Sequence, residues 1–105
     1  MGQETLNGVD VSELRATYDR KVRAELPARA TDDWPIRADH RFARVVLDNV
    51  FGDRWDEHVS GRPASERLSV AELETAVGIA DEMLAEGRPA VETYDENSLR
   101  WRGER

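Results

Sequence analysis

Between Ser69 and Gly87 the apolar residues Leu73, Ala76, Val77, Ala80, Met83 and Leu84 recur three and four positions apart. That spacing collects them on one stripe of an α-helix and would scatter them over both faces of a strand. Ser69 followed by Glu72 is a capping box for the start of this helix. Gly87 stops it, and Pro89 lies beyond. A stripe of this kind needs another apolar surface to cover it, so the rest of the chain must supply partner helices.

Two further segments answer that need. Leu14, Tyr18, Val22 and Leu26 repeat every four residues and predict a helix from about Val11 to Leu26. Asp10 is its candidate N-cap, with Glu13 three residues on, and Pro27 marks its end because the residue before proline disfavours the helical region. Residues 27–38 read as a connector whose large apolar residues, Trp34 and Ile36, fold back onto the core. Asp39 is the next candidate N-cap. The run from His40 to about Phe51 is apolar around most of a helical circumference, which predicts the central helix. Gly52 ends or kinks it, the pattern resumes around Trp55 through Val59, and residues 60–63 are a stop. No hairpin signal is identified.

These segments predict an all-α fold, a small three- to four-helix bundle with an extended C-terminal tail. Residues 1–9 are expected to be a flexible N-terminal segment, 10–87 the helical bundle domain, and 88–105 an extended tail packing on the bundle through Val91, Tyr94, Leu99 and Trp101.

Composition narrows the chemistry. The chain has 105 residues, 39% apolar and 35% charged, and no cysteine. Thiolate catalysis, disulfides and cysteine metal sites are therefore excluded. No apolar run approaches the ~20 residues of a membrane span, and the N-terminus lacks a signal-peptide pattern, so a cytoplasmic location is expected. The formal net charge is −7, from 22 acidic residues against 15 basic ones, of which Lys21 is the single lysine. An acidic surface fits adaptation to high salt, although a GC-rich genome gives the same preference for arginine. The charge argues against general nucleic-acid binding, whose footprint is a basic face. Arg15, Arg20, Lys21 and Arg23 form the most basic short stretch, but Asp19 and Glu25 interrupt it, so it reads as solvated.

Reactive residue types concentrate in one place. On a helix His40, Arg44 and Asp48 fall four apart on one face, with Arg41 beside them. Two arrangements suit this line. Arg44 pairs with Asp48 as a structural network, or Arg44 binds a carboxylate or phosphate while His40 titrates near neutral pH. The ligand-binding candidates are Arg41, Arg44, His40, Trp34 and Trp55, with the indoles giving apolar contact. No catalytic residue is assigned with any force; His40 as general base, oriented by Asp39 or Asp48, serves if the protein is an enzyme. His58 and His40 could be drawn with Asp39 as a metal site, but no short ligand spacing supports it, so neither metal nor cofactor is expected. There is no Gly-x-Ser-x-Gly, and the single-glycine turns before Pro63 and Pro89 cannot cradle a phosphate.

The block Trp34-Pro35-Ile36-Arg37-Ala38-Asp39-His40-Arg41-Phe42 continues with Arg44, Leu47-Asp48-Asn49, Gly52 and Trp55. With Arg62-Pro63 and the closing Asn97-Ser98-Leu99-Arg100-Trp101-Arg102-Gly103, it resembles a group of short microbial proteins of the GNAT-type N-acetyltransferase class. The resemblance covers roughly residues 15–103. It implies a mixed α/β fold and acetyl transfer from acetyl-CoA, and points to the segment 39–55. The loop Arg/Gln-x-x-Gly-x-Gly/Ala that holds the cofactor in that class is absent, so the resemblance assigns no acetyl-CoA residue here.

The expected function is therefore a non-catalytic binding or interaction module, taking a protein partner or a small anionic ligand at the Arg/His/Trp cluster. An acyltransferase-like enzyme is the alternative, and a nucleic-acid-associated protein a third. Homo-oligomerisation is a further expectation, because the central helix carries more apolar surface than one partner helix covers.

Overall fold

The computed structural model describes residues 5–6, 9–60 and 64–103. It is an all-α bundle, as the periodicity predicts, and the mixed α/β sheet implied by the acetyltransferase resemblance is not formed among the described residues. The helices are α1 (Val11–Arg20), α2 (Leu26–Arg29), α3 (Asp39–Phe51), α4 (Val70–Glu86) and α5 (Arg88–Trp101). Among the described residues no helix is long and apolar enough to cross a membrane.

The first helical segment runs past the predicted stop. A π-helical turn, Lys21–Glu25, follows α1, and the Leu26 amide reaches back to the Lys21 carbonyl. Helical geometry then restarts as α2, with Pro27 in its first turn. Proline is tolerated there because first-turn amides have no intrahelical acceptor to lose. The wide π turn also shifts the preceding carbonyls away from the proline ring. Leu26 accordingly keeps helical angles, φ −64 and ψ −48, and the chain turns extended only at Ala30.

Helix α3 has the predicted limits. Gly52 closes it at φ 67, the left-handed conformation glycine adopts without strain. Its N-cap is Ala38 rather than Asp39, which is the first helical residue and accepts a hydrogen bond from the His40 amide at 2.8 Å. The carboxylate still sits at the positive end of the helix dipole. Phe42, Val45, Val46 and Leu47 are fully or almost fully buried, so α3 is the central helix. Tyr18, Val22 and Leu26 cover it from one side and Leu73, Ala76, Ala80 and Met83 from another. Ile36 is buried as expected, and Trp34 meets Phe42 edge-on, with ring centroids 6.0 Å apart. Beyond Gly52 the helical pattern resumes only as a 3₁₀ turn, Trp55–Glu57.

The capping box at the start of α4 is complete: the Glu72 amide donates to Ser69 Oγ at 3.1 Å, and the Ser69 amide donates to Glu72 Oε1 at 2.9 Å. The corresponding contact of Asp10 lies outside the described side chains, as does the stop at residues 61–63.

Two readings are corrected. The segment 88–105 is not an extended tail: α5 fills residues 88–101, with Pro89 in its first turn. A glycine with a proline beyond it reads as a stop in the sequence, yet proline is equally a helix opener. The buried face of α5 consists of Ala90, Val91, Asp95 and Ser98, so polar residues occupy half of the positions that an amphipathic pattern would mark as apolar. Although no hairpin signal is identified in the sequence, Thr5–Leu6 pairs antiparallel with Val9–Asp10, Leu6 opposite Val9; the expected flexibility of residues 1–9 falls mostly on residues 1–4, 7 and 8, outside the described residues.

Gly87 is the hinge between α4 and α5, with φ 72 and ψ −140. This region of backbone space is essentially closed to residues with a Cβ. Gly87→Ala should therefore destabilise the protein by about 1–3 kcal/mol in urea unfolding. Crowding does not contribute, because the nearest atom to a new Cβ would be Trp34 Cζ2 at 3.9 Å. A stability equal to that of the parent chain would show that the hinge angles are not required.

Candidate functional site

The helical line His40, Arg44, Asp48 does not stay together. Asp48 is fully buried and turns toward the C-terminal part of the chain. Its Oδ2 accepts hydrogen bonds from Ser98 Oγ at 2.6 Å and Arg102 Nε at 2.7 Å. Its Oδ1 accepts from Arg102 Nη2 at 3.0 Å and from the Trp55 amide at 2.9 Å. The ion pair is bidentate, which is the strong form of an arginine–carboxylate contact. All the acceptor directions of the carboxylate are used, as a buried charge requires. Beside it, Asn49 donates from Nδ2 to the carbonyls of Val45 at 2.8 Å and Tyr94 at 3.0 Å, and accepts from Asn97 Nδ2 at 3.1 Å. Thus Asp48-Asn49 and Asn97-Ser98 with Arg102, which the sequence presents as separate blocks, form one polar latch between α3 and the end of α5.

With Asp48 committed to the latch, Arg44 is left facing a groove of about 1120 Å³. Helix α1 and the π turn supply one wall through Arg15, Tyr18, Asp19 and Arg23. His40, Ala43, Arg44 and Leu47 of α3 supply another. Trp55, Asp56 and the short 3₁₀ turn Ala64–Glu66 close the end, beside Arg102.

The cations in this groove differ in their engagement. Arg23 Nη1 pairs with Asp39 Oδ2 at 3.0 Å, and Arg15 Nε donates to the Ser65 carbonyl at 3.3 Å. Arg102 holds Asp48 and lies 3.5 Å from Asp56 Oδ1. Arg44 differs: its Nε is shielded from solvent and has no hydrogen-bond partner among the described residues. His40 has a 75% exposed side chain, and its Nδ1 is 3.8 Å from Asp39 Oδ1, beyond hydrogen-bond reach.

Of the sequence-predicted ligand-binding residues, the structure brings His40, Arg44 and Trp55 into one groove. Arg41 is exposed and does not line it, and Trp34 packs elsewhere, against Phe42. Asp48 supports the groove from behind. Tyr18, Arg15 and Arg23 were missed: Tyr18 was absorbed into the apolar stripe, and the arginines read as solvated. Proximity of α1 to α3 is the missing information, and no local signal carries it.

His58 stands apart. Its ring stacks on Phe51 with centroids 5.0 Å apart, and Nε2 lies 3.2 Å from Asp53 Oδ2. The Asp53 carboxyl is held below the usual carboxylate range, first by the Arg54 amide and then by His58. Among the described residues no group of three or more histidine and acidic side chains is placed to hold a metal ion.

No protein-family model, curated protein or solved structure matches the chain.

Removing the Asp48 carboxylate leaves a guanidinium, a hydroxyl and an amide without their acceptor. Asp48→Ala should destabilise the protein by about 3–5 kcal/mol, the range for breaking one side of a buried pair. Arg102→Ala should cost a similar amount, and the double variant less than the two losses added. Equilibrium urea denaturation of the set measures this, and additive losses would show that the pair does not act as a unit.

Proposed function

We propose that this protein is a non-catalytic binding module that takes an anionic ligand in the groove between α1 and α3, with Arg44 as the anion-binding group. One observation carries the reading: among the described residues the Arg44 guanidinium has neither a carboxylate partner nor an acceptor for its shielded Nε. A shielded N–H without an acceptor is costly, and an incoming oxyanion supplies the acceptor together with a counter-charge for the half-buried guanidinium. Trp55, with Leu47 and Ala43, gives the groove apolar surface, as ligand sites usually have. His40 lies at the groove with its side chain exposed.

The other basic residues of the first helical segment favour this reading over nucleic-acid binding. Arg20 pairs with Glu25 at 2.9 Å and Lys21 with Asp81 at 2.6 Å. The acyltransferase alternative finds support in His40 at the same groove, but its second candidate, Asp48, is turned into the latch.

Arg44→Gln should weaken binding of a small organic anion by about 10- to 150-fold, corresponding to loss of a charge-assisted hydrogen bond of about 1.5–3 kcal/mol. Its melting temperature should equal or exceed that of the parent. Arg41→Ala, outside the groove, should bind as the parent does. Isothermal titration calorimetry with short aliphatic and aromatic carboxylates reads both variants. Equal losses for Arg41→Ala and Arg44→Gln would rule out the groove as the site. A melting-temperature rise with acetyl-CoA but with no simple anion would favour the enzyme.

A further inference from the structure

We infer that the ligand of the groove is a small dianion, and that Arg15 of α1 binds its second negative charge while Arg44 binds the first. The inference rests on the anion-binding reading above and specifies its ligand. Among the described residues Arg15, Lys21, Arg44, Arg54 and Arg102 are the half-buried basic residues. Three of them pair with carboxylates: Lys21 with Asp81 at 2.6 Å, Arg54 with Asp56 at 3.7 Å and Arg102 with Asp48 at 2.7 Å. Among the described residues Arg15 and Arg44 have no such pair, and both line the groove, one from each wall. Arg54 also has a shielded Nε without an acceptor, so the missing carboxylate is what sets the two groove arginines apart.

Arg15 is held in place without being neutralised. Its Nε donates to the Ser65 carbonyl at 3.3 Å, and Ser65 is itself buried and lines the groove. A neutral acceptor orients the guanidinium and leaves its charge unbalanced. Partial removal from water makes such a charge costly. The chain does not lack counter-charges, with 22 acidic residues against 15 basic ones. Of the groove's own carboxylates, Asp56 lies against Arg54 and Arg102, while Asp19 and Glu66 are exposed, where solvent screens them. Two counter-charges are therefore missing, and a monoanion supplies only one. Guanidinium groups donate in the same forked geometry to carboxylate and to phosphate oxygens. The shared chemistry is thus a double negative charge, carried on two carboxylates or on one phosphate monoester.

Matched pairs of probes isolate the second charge: succinate with butyrate, glutarate with pentanoate, adipate with hexanoate, and methyl phosphate with methyl sulfate. Calorimetry at about pH 7.5 and constant ionic strength keeps the dicarboxylates and most of the phosphate doubly charged. At least one dianion should bind about tenfold or more tightly than its monoanionic partner. A dicarboxylate preference puts the charges on separate groups and a methyl phosphate preference puts them on one; either supports the inference. Arg15→Gln should abolish the preference while changing monoanion affinity less than about twofold, and Arg15→Lys, which keeps the charge, should retain part of it. Arg44→Gln should weaken both members of each pair. Equal binding within every pair, or a preference unchanged in Arg15→Gln, would overturn the inference; monoanion binding that Arg44→Gln weakens would still leave the anion-binding groove standing. No binding by any probe would overturn both.

Discussion

The carboxylate of Asp48 is the constraint on which the arrangement of this bundle turns. A charged group at zero exposure is tolerable only when its desolvation is offset by an opposite charge and by hydrogen bonds to every remaining lone pair. Asp48 obtains these from three places far apart in sequence: the Trp55 amide, Ser98 on α5, and Arg102 just beyond it. The arrangement is directional in a way that apolar burial is not. Leu73 or Val46 would be satisfied by many rotations of a neighbouring helix, whereas the Arg102 fork meets Asp48 in one register. The latch thus fixes the position of α5 and anchors the chain where it leaves α3.

This distinction explains what could be read from the sequence. The elements whose stability comes from apolar stripes and caps, α3 and α4, were legible to within a residue or two, because periodicity and the Ser69–Glu72 box are local. Helix α5 was not legible, since two of its buried positions are Asp95 and Ser98. A polar residue buried for a partner elsewhere looks, in sequence, the same as one facing water. Punctuation misled for a related reason. Pro27 and Pro89 each sit in the first turn of a helical segment, where the missing amide costs nothing, but proline alone does not reveal whether a helix is ending or beginning.

The site was legible in part. The concentration of His40, Arg44 and Trp55 within one stretch falls on the face of α3 that lines the groove. The opposite wall comes from the first helical segment, and its contribution depends on which neighbour that helix meets. Tyr18 illustrates the difficulty: its spacing with Leu14 and Val22 marks it as core, which its ring is, and nothing in the spacing tells that it also lines the groove.

The latch and the groove are two consequences of one choice of partner. On an isolated helix Arg44 and Asp48, four apart, would favour a local ion pair worth a few tenths of a kcal/mol. The fold gives Asp48 a bidentate partner in Arg102 together with a hydroxyl and an amide, a stronger and fully satisfied arrangement. The carboxylate therefore turns away from its helical neighbour. Arg44 is left with its charge uncompensated beside the groove, and the same turn places Trp55 and Arg102 along that groove's edge. The lack of a carboxylate partner for Arg44 among the described residues is thus a product of the folding energetics of the C-terminal helix. It would disappear if Asp48 were released, because a freed carboxylate one helical turn away would neutralise Arg44. A mutation that releases the carboxylate, such as Ser98→Ala, should in consequence weaken the proposed anion binding, whereas Asp48→Ala, which removes the carboxylate itself, should not act through Arg44 in this way.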